Sequence, residues 1–288
     1  MKDRALFGFS LLTQMSVGTL VVTGGVQFLM AYVPWGSLAD IRHVVHPCLM
    51  VCVGLMILAL ACAPLHFGSV AETLRAIGNV RSSWLSREVF FAIFFFGASG
   101  TVTIFSLNDG GLPGLFGYLI PGFFAILLIV SMSMAYGPRS VPVLSTWHIP
   151  ATLSVSSILL GTCVVAAILL LSPLAPVWVQ EITLWLVGLV ALVLLTLQLL
   201  IFSLWFRRML SFAVVIVALR EKPLSRILAV FWTRIISAAF GLVALTLASA
   251  LGVRWLEPGV IITIAAVMVS EVMGRLFFYE VRMQEGVK

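Results

Sequence analysis

Apolar runs long enough to cross a lipid bilayer recur along almost the whole chain, and their length restricts the fold more than any other feature. A hydrocarbon core of about 30 Å takes on the order of 20 helical residues to cross. Runs bounded by Pro, Gly or charge predict eight spans, at roughly 6–33, 44–63, 88–107, 115–136, 149–171, 180–206, 227–250 and 258–279. Lipid offers backbone N–H and C=O groups no partner, and an α-helix satisfies them locally. The predicted fold class is therefore all-α: a polytopic integral membrane protein, a bundle of eight transmembrane helices forming one transmembrane domain over 1–288. The breaks carry turn chemistry, as in Pro34-Trp35-Gly36, Asn108-Asp109-Gly110-Gly111, Gly137-Pro138-Arg139, Ser172-Pro173 and Glu257-Pro258-Gly259.

Composition agrees. Hydrophobic residues make up 61% of the 288, and mean hydropathy is +1.17. Charged residues are 10%, against about 25% in soluble domains. That leaves no room for a soluble catalytic domain. The net charge of +6 would suit nucleic acid, but basic residues confined to loops between spans follow membrane topology instead, so no nucleic-acid partner is expected. The apolar run behind Lys2, Asp3 and Arg4 continues to about Val33, past the roughly 7 to 15 residues of a signal-peptide core, and is read as the first span. Cys48, Cys52, Cys62 and Cys163 lie in apolar runs without C-x-x-C spacing, which predicts buried thiols and no metal site.

Eight spans place both termini on one side. Fourteen of the seventeen Lys and Arg residues fall on that side or on the connections after spans two, four and six. Only Arg42 and Arg254 fall opposite, and Arg234 lies inside span seven. The positive-inside rule makes the basic side, with both termini, the cytoplasmic face of a cell (inner or plasma) membrane. Residues 209–219, between basic pairs, are too few to cross and are expected at the interface or folded back among the helices.

The stretch Pro64 to Glu88 is where this apolar chain becomes dense in ionisable side chains: His66, Glu72, Arg75, Arg81, Arg87 and Glu88. An ionisable residue inside a span costs about 2.5 to 3.5 kcal/mol on insertion scales, so it needs a partner or a polar cavity. Arg234, Glu271 and Arg275 are such residues, and the i, i+4 spacing predicts that Glu271 pairs with Arg275. His66, Glu88 and His148 sit at span ends on the same side, so six titratable groups share one end of the bundle. Haem suits the histidines poorly: His43 and His46 lie at the opposite end from His66 and His148, and four facing imidazoles are lacking. A quinol suits the set better. His66 is the natural proton acceptor, Glu88 a second titratable group, and Leu65, Phe67, Trp84, Phe90 and Phe91 an apolar wall for ring and tail.

These residues carry a resemblance. His66-Phe67-Gly68-Ser69, Arg75-Ala76, Asn79, Arg81 and Ser83-Trp84-Leu85-Ser86-Arg87-Glu88 resemble the dimethyl sulfoxide reductase anchor subunit (DmsC-like) family, as does Glu271-Val272-Met273-Gly274-Arg275-Leu276-Phe277-Phe278-Tyr279. Val70 stands where that family often has Pro, and Glu72 where it often has Arg. The resemblance implies an anchor that oxidises menaquinol and passes electrons to an iron–sulfur subunit, which feeds a molybdopterin catalytic subunit. This chain would then hold neither haem nor cluster. The resemblance links His66 to the quinol site. Charge and depth add Glu88, Arg75, Arg87, Glu271 and Arg275, and the apolar wall adds Trp84, as the site or its electrostatic support. The rival classes are a proton-coupled secondary transporter and a di-haem quinol-oxidising cytochrome. The charge bias predicts that a reporter fused after Lys288 behaves as cytoplasmic, and alkaline phosphatase activity from that fusion would contradict it.

Overall fold

The computed structural model describes residues 2–31, 38–67, 69–108, 112–136, 147–171, 177–210, 224–251 and 253–283; for some residues at helix ends, and for His66 and much of 70–77, only the backbone is described. Almost all of these residues are helical, with no strand among them. In chain order the helices are α1 (Lys2–Ala31), α2 (Leu38–Phe67), α3 (Val70–Gly78), α4 (Trp84–Asn108), α5 (Leu115–Tyr136), α6 (His148–Leu171), α7 (Val177–Leu210), α8 (Leu224–Leu251) and α9 (Val253–Met283). All except α3 are long and apolar enough to span a membrane, and the eight spanning segments begin with Ala5–Ala31 and end with Trp255–Leu276. The chain is an all-α, multi-pass membrane protein, as its hydrophobic runs predict. Residues 211–223, which hold most of the expected interfacial segment, lie outside the described residues.

The helices group into two compact units. The first comprises Met1–Ala135 and Ser157–Val187, the second Tyr136–Ser156 and Gly188–Lys288. In the first unit α1 packs along α2, α2 also meets α4, and α3 lies against both α2 and α4. α1 is apolar around its whole circumference apart from small polar residues, and Ser10, Thr13, Gln14, Ser16, Thr19 and Thr23 are all buried. Two of these hydroxyls are satisfied within the helix, Thr19 donating to Met15 O at 2.6 Å and Thr23 to Thr19 O at 2.6 Å. Others join it to α2: Ser16 Oγ donates to Cys52 O at 2.7 Å, and Cys52 Sγ donates to Ser16 O at 3.3 Å. In lipid, where helices gain nothing by hiding apolar surface from one another, small residues and such bonds drive association.

The tightest approach in this unit is between α1 and α6. A Cβ at Gly18 would fall on the backbone carbonyl of Ser157, and one at Gly161 on the backbone of Gly18 and Thr19. Ser157-x-x-x-Gly161 is the small-xxx-small spacing that lets two backbones touch. Near the far end of α1, Gln27 Nε2 donates to Pro113 O at 2.6 Å, and Tyr118 Oη donates to Gln27 Oε1 at 2.7 Å, which ties α1 to α5. In the second unit α8 and α9 form an antiparallel pair. Thr263 Oγ1 reaches across to Gly241 O at 3.1 Å, and Ser270 Oγ to Arg234 O at 3.1 Å.

Candidate functional site

In the first unit the motif-bearing stretch folds into a capped corner. Ser69 starts α3: its Oγ accepts from Glu72 N at 3.1 Å and its carbonyl from Thr73 N at 3.1 Å. Ser69-x-x-Glu72 is a capping-box spacing, and an acid in the first turn favours the helix dipole. Glu72 therefore suits the start of α3. Ser83 starts α4 in the same way, accepting from Ser86 N at 3.4 Å and Arg87 N at 3.2 Å.

Arg87 holds this corner together. Its Nε donates to Val80 O at 2.7 Å and its Nη2 to Arg81 O at 2.8 Å, while its guanidinium lies 4.1 Å from the centre of the Trp84 ring. The planar fork of arginine fits two successive carbonyls of a turn, and its flat face stacks on an indole. Trp84 and Arg87, expected at the quinol site, are thus joined to each other and to the turn. Arg75 is exposed on α3. Glu88, next in sequence, is fully buried at 0% exposure. His66 lies in the last turn of α2, and its side chain lies outside the described residues. The expected aromatic wall continues from Phe90 to Phe94 at 4.6 Å and on to Phe124 of α5 at 5.2 Å, centroid to centroid.

In the second unit four helices meet around one carboxylate. Glu271 of α9 accepts through Oε1 from Ser156 Oγ of α6 at 3.0 Å and from Gln198 Nε2 of α7, and Arg234 Nη2 of α8 lies 3.9 Å from the same oxygen. Gln198 Nε2 also donates to Ser156 Oγ at 3.3 Å. Glu271 and Arg234 are 2% and 3% exposed. The sequence reading paired Glu271 with Arg275 along one helix; the structure gives it Arg234 from the neighbouring helix. An i, i+4 pair stabilises a helix by only about 0.2 to 0.5 kcal/mol, whereas a cross-helix pair also joins two spans. Arg275 is buried as well.

Magnitudes show why the cluster needs more than its two charges. Opposite charges about 4 Å apart gain roughly 4 kcal/mol at an effective dielectric near 20, and inserting two ionised residues costs about 5 to 7 kcal/mol. Hydrogen bonds to charged groups, worth about 1.5 to 3 kcal/mol each, close the difference, and Ser156 and Gln198 supply them.

A notch in α9 seats the arginine. A Cβ at Gly274 would lie 2.6 Å from Arg234 Cζ, 2.7 Å from Nη1 and 2.8 Å from Nε. On the side of α7, Arg234 Cζ stands 4.4 Å from the centre of the Phe202 ring, which itself stacks on Phe231 at 5.1 Å. Sequence reasoning had placed Arg234 inside span seven but missed Gln198, Ser156 and Phe202. A lone amide in an otherwise apolar run is the signal for Gln198; nothing local marks Ser156. His148 of the same unit is buried against the Trp147 ring, 3.9 Å between centroids.

No protein-family model, curated protein or solved structure matches the chain.

The notch yields a direct expectation. Gly274→Ala places a methyl group on the guanidinium and should lower the thermal midpoint of the purified protein in nanodiscs, by the equivalent of about 1 to 3 kcal/mol for an overpacked site. In an Arg234→Ala background the same substitution should cost almost nothing. Equal losses in both backgrounds would show that Gly274 does not serve as the seat.

Proposed function

We propose that this chain is the membrane anchor subunit of a dimethyl sulfoxide reductase-type molybdoenzyme complex, in which it binds and oxidises menaquinol and hands the electrons to an iron–sulfur subunit during anaerobic respiration. The observation that supports this reading most is Glu88. It is a carboxylate with no exposed surface at the start of a membrane span, adjoining the capped corner whose residues carry the family resemblance. An intramembrane carboxylate is expensive and points to proton or ligand handling.

Oxidation of one quinol to the quinone releases two protons and two electrons. His66 accepts a proton first, since an imidazole changes charge near neutral pH, and Glu88 is the second acceptor. The electrons leave to the iron–sulfur subunit and then to the molybdopterin subunit, whose pocket sets the terminal acceptor. In this reading Arg87 and Trp84 support the site through the turn they hold. Both termini and this corner lie on the cytoplasmic face of the cell membrane in this reading, as the distribution of Lys and Arg favours.

His66→Leu keeps bulk and removes both ring nitrogens. Membranes carrying the variant should assemble the complex and still reduce acceptor from an artificial dye that bypasses the quinol. Their quinol-dependent turnover should fall by roughly 100-fold or more, the scale of a lost general base. A much smaller loss, with quinol inhibitors bound as before, would remove His66 from the site.

A further inference from the structure

We infer that Arg234 and Gln198 form, within the second unit, a subsite of its own for one hydroxyl of a quinol, a reading that rests on the quinol-oxidising function proposed above. Glu271 engages one edge of each partner, Arg234 through Nη2 and Gln198 through Nε2. Arg234 Nη1 and Gln198 Oε1 remain. Both atoms are buried, and neither has a hydrogen-bond partner among the described residues. Buried polar groups are almost always satisfied, so an orphaned pair in one cluster asks for a ligand. Both groups meet at a single carboxylate oxygen, so their unused edges belong to one small region of the second unit.

The guanidinium cannot turn to relieve itself. Phe202 lies over Arg234, with Cζ 4.4 Å from the ring centre, and the α9 backbone at Gly274 leaves no room for even one more carbon. Swinging away would also abandon Glu271. The depth suits a membrane-borne ligand: Arg234, Glu271, Gln198 and Ser156 each lie roughly one and a half to two turns inside the ends of their spans.

The two unused atoms specify the ligand's chemistry. Arg234 Nη1 is a donor and Gln198 Oε1 an acceptor, and a hydroxyl group answers both, accepting from the first and donating to the second. A quinone carbonyl answers only the arginine and leaves the amide oxygen unmet. The pair therefore selects the reduced over the oxidised ring, the selectivity required of a subsite that takes up quinol. Water has the same donor and acceptor capacity, so the test must separate the two.

The purified full-length chain in lipid nanodiscs is titrated anaerobically with a short-chain naphthoquinol and with the corresponding naphthoquinone, binding being read from tryptophan quenching and thermal midpoints being recorded in parallel. Wild type should bind the reduced ring more tightly. Gln198→Met, which removes both amide atoms at similar bulk, should weaken naphthoquinol binding about tenfold, the scale of one unmet buried hydrogen bond, and erase the preference for the reduced form. Arg234→Lys, which keeps the charge that Glu271 needs but loses the second arm of the fork, should weaken naphthoquinol and naphthoquinone alike by about tenfold, and serves alone if Gln198→Met does not fold. Tight naphthoquinol binding by wild type and equally by the folded variants would overturn the inference and leave the pair to water. No binding by wild type would instead overturn the quinol-oxidising reading on which the inference rests.

Discussion

The burial of Arg234 and Glu271 inside the membrane conditions everything in the second unit. Neither residue can be left there alone, so each helix around them contributes something specific. α8 supplies the guanidinium and α9 the carboxylate. α6 and α7 add the donors that the pair lacks, Ser156 and Gln198. Gly274 clears the space in which the guanidinium lies, and Phe202 covers it. A leucine in place of either charged residue would leave the other an ion without its complement in a medium that cannot hydrate it. The cluster therefore fixes the register of four helices at one depth, which nonspecific apolar packing in lipid does not do.

The first unit relies on a different device. Its helices meet through small residues and hydroxyls, with α1 touching α6 at Gly18 and Gly161 and bonded to α2 through Ser16 and Cys52. Five of its charged residues, Glu72, Arg75, Arg81, Arg87 and Glu88, gather at the corner of α3 and α4, where Arg87 engages the carbonyls of Val80 and Arg81 and the Trp84 ring. Holding that turn fixes the start of α4, and with it the place of Glu88. The motif thus divides into residues that build the corner and a buried acid that the corner positions.

The spanning helices could be read from the sequence because crossing a bilayer is a matter of length and polarity, which apolar runs such as 149–171 carry locally. The partner of Glu271 could not. Arg275 lies one turn away in sequence, whereas Arg234 reaches Glu271 only after α8 and α9 have folded against each other, and no local pattern encodes that approach. Gly274 looked like an unremarkable member of a motif until the guanidinium lay against it. The helix α3 was legible in principle, since Ser69-x-x-Glu72 is a capping signal, but nine residues between two long spans read more readily as a connection. The charge of Glu88 was visible, and its complete burial was not, because burial depends on which face of α4 meets its neighbours.

The central claim is that Arg234 and Glu271 act as one unit. A double-mutant cycle with Arg234→Met, Glu271→Gln and the two combined, followed by thermal unfolding in nanodiscs, tests it most directly. Each single variant leaves a buried polar group without its partner and should lose about 3 to 5 kcal/mol. The double variant should lose clearly less than the sum, by at least about 1 kcal/mol of coupling. Losses that simply add would contradict the account, since the two residues would then be held in the membrane independently of each other.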